Sequence, residues 1–424
     1  MKKAHLTDLS LKELTDLLHS WGESPFHAPQ IWRWLYRSLA ESFDGMSDLP
    51  QPMRHRLGIE TNIGALRPIK ELVSTRGDTV KALFCLEDKS TIESVSMHGR
   101  ASEGKGTRHT LCISTQVGCP VGCPFCATGQ HGFRRNLSPG EMVEQVLYFA
   151  RTANRPVSNV VFMGMGEPLA NYDATLKAIR ILNSPQGFNL GARRITVSTA
   201  GLAPQIMRLA GEDLQVGLAV SLHAANDALR NTLVPLNIRY PIRKLLDACR
   251  AYFAATSRRV TFECVLFDGL NDSISHARQM AKLLTGMNCH VNLIPANTTT
   301  DPGFQPTSQA RIRGFQAVLK RRGIAATTRR SMGADIRAGC GQLGIPESPT
   351  VPVAVEGDKK PTTRERDRTR GPVVSSRGRT LLPHSSRSWR KSPQPPRSRR
   401  YKGKKHPRSV PNSRPIPTAG QPRR

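Results

Sequence analysis

Three cysteines fall within eight residues, Cys119, Cys123 and Cys126, in the stretch Cys-Pro-Val-Gly-Cys-Pro-Phe-Cys. Glycine and proline fill the gaps, so the stretch reads as a loop and not as helix or strand. Thiolates this close can converge on one metal centre while leaving it one ligand short. Structural zinc normally takes four protein ligands. A four-iron cluster held by three cysteines keeps one iron open for another group. The cluster is the leading reading; the alternatives are a zinc knuckle completed by Cys112 or His131, or three unpaired structural thiols. Cys340 is a second candidate, because it sits between glycines in Ala-Gly-Cys340-Gly-Gln where a core cysteine would have apolar neighbours. That setting predicts a mobile backbone and a reactive, accessible sulfur.

The elements that must position these residues follow one pattern from Leu111 onward: strand, loop, helix, repeated. Strand-like runs occupy Leu111–Ser114, Asn159–Met163, Arg194–Thr199, Gly217–Leu222, Val260–Leu266 and His290–Ile294. Helical patterns fall near Ser138–Ala150, Tyr172–Leu182, Pro204–Leu209, Ile242–Phe253, His276–Leu284 and Ser308–Lys320. Six parallel strands alternating with helices imply an α/β fold, either a partial (β/α)6 barrel or a doubly wound sheet, with chemistry at the carboxyl ends of the strands. Candidate residues stand at those ends. The first run leads to the cysteine loop, and the second to Met163-Gly-Met-Gly-Glu167-Pro168, where one carboxylate could hold an ammonium group. The third ends at Ser198, the fourth at Ser221-Leu222-His223 and the sixth at Asn297. Singly, serine and asparagine there are as often turn formers, and His223 a satisfied core histidine; their shared placement raises the odds. Ala325–Arg329 is a candidate further strand.

Ahead of this core, residues 1–60 read as a helical unit. Ser10 and Glu13 form a capping box before Leu11, Leu14, Leu17 and Leu18. A second helix near Pro29 carries Trp32 and Trp34 as core, with Arg33 and Arg37 outward and available to RNA phosphates. Residues 61–104 read as a small antiparallel extension of strands Ile69–Ser74, Thr79–Leu86 and Thr91–Met97, in which alternation makes Glu93 solvent-facing, followed by a loop at Arg100–His109. Residues 105–346 form the core with the Cys340 loop, and 347–424 a tail that cannot bury a core and is expected to be disordered.

Residues 351–424 hold 21 Lys and Arg against 4 Asp and Glu, a surplus of 17 within the overall +30, which leaves +13 for residues 1–350. Body and tail are both basic, which points to a polyanion, above all nucleic acid. Nine scattered cysteines argue against a secreted disulfide framework and for reduced thiols in a cytoplasm. No run of about 18 apolar residues predicts a membrane span, and the first residues lack the apolar core of a signal peptide.

Six stretches in order resemble the RlmN/Cfr family of radical S-adenosylmethionine (SAM) RNA methyltransferases: Leu-Cys112-Ile-Ser-Thr-Gln-Val-Gly-Cys119, Gly-Met-Gly-Glu167-Pro168-Leu, Gly-Ala-Arg-Arg-Ile-Thr-Val-Ser198-Thr, Val-Ser221-Leu222-His223-Ala, Asn-Leu-Ile-Pro-Ala-Asn297, and Gly-Ala-Asp-Ile-Arg-Ala-Gly-Cys340-Gly-Gln-Leu. The resemblance runs from about residue 25 to residue 346, and the basic tail departs from it. It implies a partial radical SAM barrel with one [4Fe-4S] cluster on Cys119, Cys123 and Cys126, and two SAM molecules per turnover. Glu167 and Pro168 are then expected to hold the amino acid end of SAM, with Ser198, Ser221, Leu222, His223 and Asn297 completing the pocket. Cys340 is implied to carry a methyl group, Glu93 to be the base, and Cys112 to attack the Cys340 sulfur, forming a disulfide. The implied reaction is methylation of adenine C2 in 23S ribosomal RNA (adenine 2503, peptidyl transferase centre) and transfer RNA (adenine 37). The Cfr-type alternative modifies C8 of adenine in 23S ribosomal RNA, and a noncatalytic zinc-containing RNA-binding protein is the rival from another class. An electron donor such as flavodoxin or ferredoxin and a monomeric state are further expectations.

Overall fold

In the computed structural model, which describes residues 3–99, 108–153, 155–297, 303–329 and 331–344, the Ser10 cap forms. Its hydroxyl accepts from the Glu13 N–H at 3.3 Å, and Glu13 Oε2 accepts from the Ser10 N–H at 2.6 Å. Helix α1 (Leu11–Ser20) therefore starts there and buries Leu14 and Leu18. Helix α2 (His27–Tyr36) starts two residues before Pro29 and buries Ile31, Trp32 and Leu35. A third helix, α3 (Gln51–Glu60), buries only Met53 and Leu57, too sparse an apolar stripe to stand out in the sequence. Arg33 on α2 and Arg37 at its end are not free. Arg33 pairs with Asp48 at 3.0 Å, and Arg37 donates to the carbonyls of Pro185 (2.6 Å) and Gly187 (3.3 Å). Arg37 thus fastens the helical unit to the loop after a core helix.

Ten strands build one sheet in which spatial order follows chain order. They are β1 (Arg67–Val73), β2 (Thr79–Cys85), β3 (Thr91–His98), β4 (His109–Cys112), β5 (Asn159–Phe162), β6 (Ile195–Thr199), β7 (Gly217–Ser221), β8 (Val260–Leu266), β9 (Cys289–Pro295) and β10 (Ala325–Thr328). From β4 to β10 every neighbour pairs in parallel, so the candidate strand Ala325–Arg329 is present as a seventh parallel strand. The antiparallel strands continue the same sheet: β3 pairs with β4 from Val95↔Cys112 to His98↔His109. The free edge of the first parallel strand is where that pairing can occur. Both outer strands, β1 and β10, have one neighbour among the described residues, so the barrel is open.

Helices α4 (Pro139–Thr152), α5 (Tyr172–Asn183), α6 (Ala203–Ala210), α7 (Ile242–Thr256), α8 (Ile274–Leu284) and α9 (Gln309–Arg321) return the chain between parallel strands. α4 starts at a second capping box, with Ser138 Oγ accepting from the Glu141 N–H at 3.1 Å and Glu141 Oε2 accepting from the Ser138 N–H at 2.9 Å. One apolar core runs from Leu14 and Trp32 through the sheet to Phe315. A smaller cluster of Phe125, Val265, Phe267 and Ile294 gathers around the cysteines at the strand ends. No described helix is long and apolar enough to cross a membrane. The expected disordered tail and most of the Arg100–His109 loop lie outside the described residues.

Candidate active site

After β4 the chain makes a small antiparallel ladder, Gln116–Gly118 with Phe133–Asn136, and the cysteine loop hangs between its strands. The loop is tied at its base by the Cys119 N–H on the Gly132 carbonyl, 2.8 Å. Gly118 stands at φ +77°, and a Cβ there would lie 1.8 Å from that carbonyl oxygen, so only glycine fits. The loop after β5 packs on this ladder: the Gly164 N–H donates to the Ile113 carbonyl (3.0 Å), the Met165 N–H to Ser114 Oγ (2.8 Å) and the Glu167 N–H to Gln116 Oε1 (2.7 Å).

The Glu167 carboxylate accepts from the N–H groups of Ala200 (2.6 Å) and Leu169 (3.0 Å). Burial nonetheless pushes its pKa up to about 7, against those hydrogen bonds. Glu167 thereby links the ends of β5 and β6. Arg230, fully buried, links β6 and β7: it donates to the carbonyls of Ala200 (2.7 Å), Ser221 (2.8 Å) and Leu222 (3.1 Å) and to Asn237 Oδ1 (2.7 Å). In the sequence it looks like an ordinary helix-surface arginine, and nothing in its spacing announces this role.

His223 sits at φ +58°, a conformation in which a non-glycine residue at a strand end points to function more than to packing. Its Nδ1 accepts from the Val265 N–H at 3.1 Å, and Asn271 Nδ2 donates to its carbonyl at 2.9 Å. Burial, with Arg230 nearby, pulls its pKa down to about 3. The ring is therefore neutral with its proton on Nε2, a donor at the cavity wall.

Cys119, Cys123, Cys126, Glu167, Pro168, Ser198, Ser221, His223, Asn297 and Cys340 all line one cavity at the carboxyl ends of the strands. Leu222 does not. Its side chain is buried in the main core, and its contribution is backbone, an N–H on the Glu263 carbonyl at 3.0 Å and a carbonyl under Arg230. An adjoining cavity holds Cys112 and Cys340 together with Cys126, Met163 and Arg329. Burial, with Cys340 alongside, pushes the Cys112 thiol up to about 12. Arg329, the last residue of the candidate strand Ala325–Arg329, faces Cys340, Glu263 and Cys112, and Cys340 holds its pKa above the ordinary value. A larger hollow of about 760 Å³ beside the N-terminal unit contains none of the cysteines.

The Cys340 loop is held, in contrast to the mobile backbone expected. Asn297 Nδ2 donates to the Cys340 carbonyl (3.0 Å), the Ala127 N–H to the Gly341 carbonyl (2.9 Å) and Thr128 Oγ1 to the Leu343 carbonyl (2.7 Å). A Cβ at position 339 would lie 2.5 Å from Asn297 Nδ2, so the flanking glycine serves close approach. Glu93 is also buried, against the expectation of a solvent-facing strand residue, because both faces of β3 are covered. It lines neither cavity but accepts from the Gly344 N–H at 2.7 Å, which brings it to the end of the Cys340 loop.

Among the described residues no three Cys, His, Asp or Glu side chains converge as ligands of a single ion would. A four-iron cluster asks for something else, one thiolate on each of three irons around a void. Cys119, Cys123 and Cys126 bordering one cavity, with apolar neighbours and the Glu167 carboxylate on the same lining, fit that demand.

A model described as the radical SAM superfamily matches residues 113–283, and one described as the ribosomal RNA large subunit methyltransferase N-terminal domain matches residues 4–63. The chain is 44% identical to a probable dual-specificity RNA methyltransferase RlmN of Caldanaerobacter subterraneus, over 80% of this chain and 97% of the relative. It is 45% identical to the protein of the same description from Alkaliphilus oremlandii, over 81% and 98%. The solved structure of a radical SAM methyltransferase from Sphaerobacter thermophilus superposes with a TM-score of 0.77 at 51% identity, covering 80% of this chain and 99% of that one. A [4Fe-4S] cluster and SAM are the cofactors of this chemistry, which sets aside the zinc alternatives. With the cysteine loop, the carboxylate opposite it and Cys340 gathered at one barrel mouth, and with these matches along the described body, the chain belongs to the RlmN family of radical SAM RNA methyltransferases.

Proposed function

We propose that this enzyme methylates C2 of adenine in 23S ribosomal RNA and in transfer RNA, through a methyl group carried on Cys340 and with two SAM molecules consumed per turnover. The observation that carries this reading is the position of Cys340: this one residue borders both the cavity of the three cysteines and Glu167 and the cavity of Cys112. C2 of adenine is electron-poor and no nucleophile, so direct displacement of a methyl group from SAM does not reach it. Held by Cys119, Cys123 and Cys126, a cluster with SAM would supply one-electron chemistry: a radical able to take a hydrogen atom from a methyl group, and an acceptor for the electron left over when the new carbon–carbon bond exists.

The chain's own residues do the rest. Cys119, Cys123 and Cys126 hold the cluster, and Glu167 holds the SAM ammonium, with Pro168, Ser198, Ser221, His223, Asn297 and the Leu222 backbone shaping the pocket. The Cys340 sulfur takes a methyl group from one SAM by displacement, and S-adenosylhomocysteine leaves. After the methyl carbon has bonded to C2, Glu93 takes the C2 proton and the C–H electron pair stays in the adduct. Cys112 then attacks the Cys340 sulfur; an S–S bond forms, the S–C bond breaks, and the released methyl carbon takes up a proton. A dithiol reductant resets the two cysteines. The description of the relatives as dual-specificity RNA methyltransferases supports a dual RNA substrate. A flavodoxin- or ferredoxin-type donor supplies the electron, and the enzyme works as a monomer.

Mass spectrometry of RNA nucleosides from a deletion strain tests the regiochemistry. Loss of 2-methyladenosine is expected; loss of 8-methyladenosine alone would make this a C8 enzyme. Cys340→Ala should load its cluster and give no methylated RNA. Methylation by that variant would overturn the methyl-carrier role.

A further inference from the structure

Lys81 lies in the middle of β2, yet only 2% of its side chain is exposed. The register explains where it goes. Lys81 pairs with Val95 and Leu83 with Glu93, so Lys81 and Glu93 are diagonal neighbours on adjacent strands, a separation that a long side chain spans. Lys81 Nζ stands 2.8 Å from Glu93 Oε1, and the Glu93 side chain is 7% exposed. The second oxygen, Oε2, accepts from the Gly344 N–H at 2.7 Å. The backbone of Glu93 is fixed as well, its carbonyl accepting from Ser114 Oγ at 2.6 Å.

Burying an ammonium and a carboxylate costs several kcal/mol per ion before their attraction returns any of it. An apolar pair of the same volume would build the sheet at least as well. A carboxylate in so dry a place, without a cation against it, has nothing to hold its orientation against the cost of its burial. We propose that Lys81 is a positioning residue for proton removal: its ion pair fixes the Glu93 carboxylate at the end of the Cys340 loop, ready for the C2 proton of the RNA adduct. This rests on Glu93 being the base. In the step itself the C2–H bond breaks, an O–H bond forms on Glu93, the electron pair remains in the adduct, and Lys81 keeps its own protons.

The test uses the full-length, cluster-loaded enzyme with RNA carrying hydrogen or deuterium at C2 of the target adenine, and compares Lys81→Met, Lys81→Arg and Glu93→Gln. Denaturing gels read the covalent enzyme–RNA adduct, and nucleoside mass spectrometry reads released product. Lys81→Met should accumulate adduct, release methylated RNA at least tenfold more slowly, and release it more slowly still with deuterium at C2. Lys81→Arg should recover most of the rate. A purely packing role for Lys81 predicts neither adduct nor isotope effect. If Glu93→Gln accumulates adduct while Lys81→Met releases product at the wild-type rate, the Lys81 role is wrong and the base assignment stands. If Glu93→Gln also releases normally, both fall. Iron content and the methyl load on Cys340, read by intact mass, report whether the fold survives. Should Lys81→Met fail that check, Lys81→Gln, which keeps a donor without the charge, decides between the same two outcomes.

Discussion

Two titratable groups that line the cavity at the strand ends, His223 and Glu167, are tuned in opposite directions by the same cause. Burial pulls His223 down to about 3, so it stays neutral through the physiological range. Burial pushes Glu167 up to about 7, which favours its neutral acid form below that pH. On the proposed pairing of the SAM ammonium with the Glu167 carboxylate, SAM affinity should fall as pH drops through about 7, by up to tenfold per unit, and binding should release a proton near neutrality. Titration calorimetry in buffers of different ionisation enthalpy measures both effects. Glu167→Gln should bind SAM weakly and without this pH dependence, and His223 should add no step between pH 5 and 8.

At the scale of elements, the antiparallel strands act as the outer half of a clamp on the Cys340 loop. Asp335 accepts from the Thr75 N–H (2.7 Å) and hydroxyl (2.8 Å) in the β1–β2 turn, and Glu93 on β3 holds Gly344. The barrel side supplies Asn297, Ala127 and Thr128. A second junction ties the segment before β1 to α4 through Glu144, which accepts from Thr7 Oγ1 (2.7 Å) and from the N–H groups of Ala65 (2.8 Å) and Leu66 (2.7 Å). Burial outweighs these bonds and pushes Glu144 up to about 7. Its folded pKa lies above the unfolded value, so the stability it contributes is complete below about pH 4.5 and lost as pH rises through about 7. The loss is on the order of 3 kcal/mol, since one pKa unit is about 1.4 kcal/mol. Glu144→Gln should flatten the dependence of Tm on pH between 5 and 8, as measured by calorimetry.

For the whole molecule, charge is the property that reaches furthest. The tail carries 17 of the net +30 charges, and each phosphate contact steepens the salt dependence of RNA binding by releasing counterions. Removing residues 351–424 should weaken RNA binding at low salt and make the slope of log affinity against log salt shallower. Methylation at saturating RNA should be unchanged. Filter binding across a salt series, with single-turnover methylation in parallel, measures the two effects; an unchanged slope would mean that the tail makes no RNA contact.

Local rules made much of this legible in the chain itself. Alternation of strand and helix patterns gave the parallel core, β8 (Val260–Leu266) to the residue, because buried parallel strands are continuous apolar runs. Capping chemistry placed the start of α1, and helical periodicity that of α4. The cysteine spacing, the glycine-rich turn before Glu167 and the candidates after β6, β7 and β9 were readable because parallel topology puts their loops at one end. Only the tertiary structure decided the rest, since the remaining contacts join residues far apart in the chain. Lys81 reaches Glu93 by strand register, Arg230 fastens three carbonyls across β6 and β7, and buried Glu93 accepts from a backbone N–H 251 residues further on. Alternation in β3 describes one face against water. With both faces covered, it says nothing about which side chains are dry, and that is where the ion pair lies.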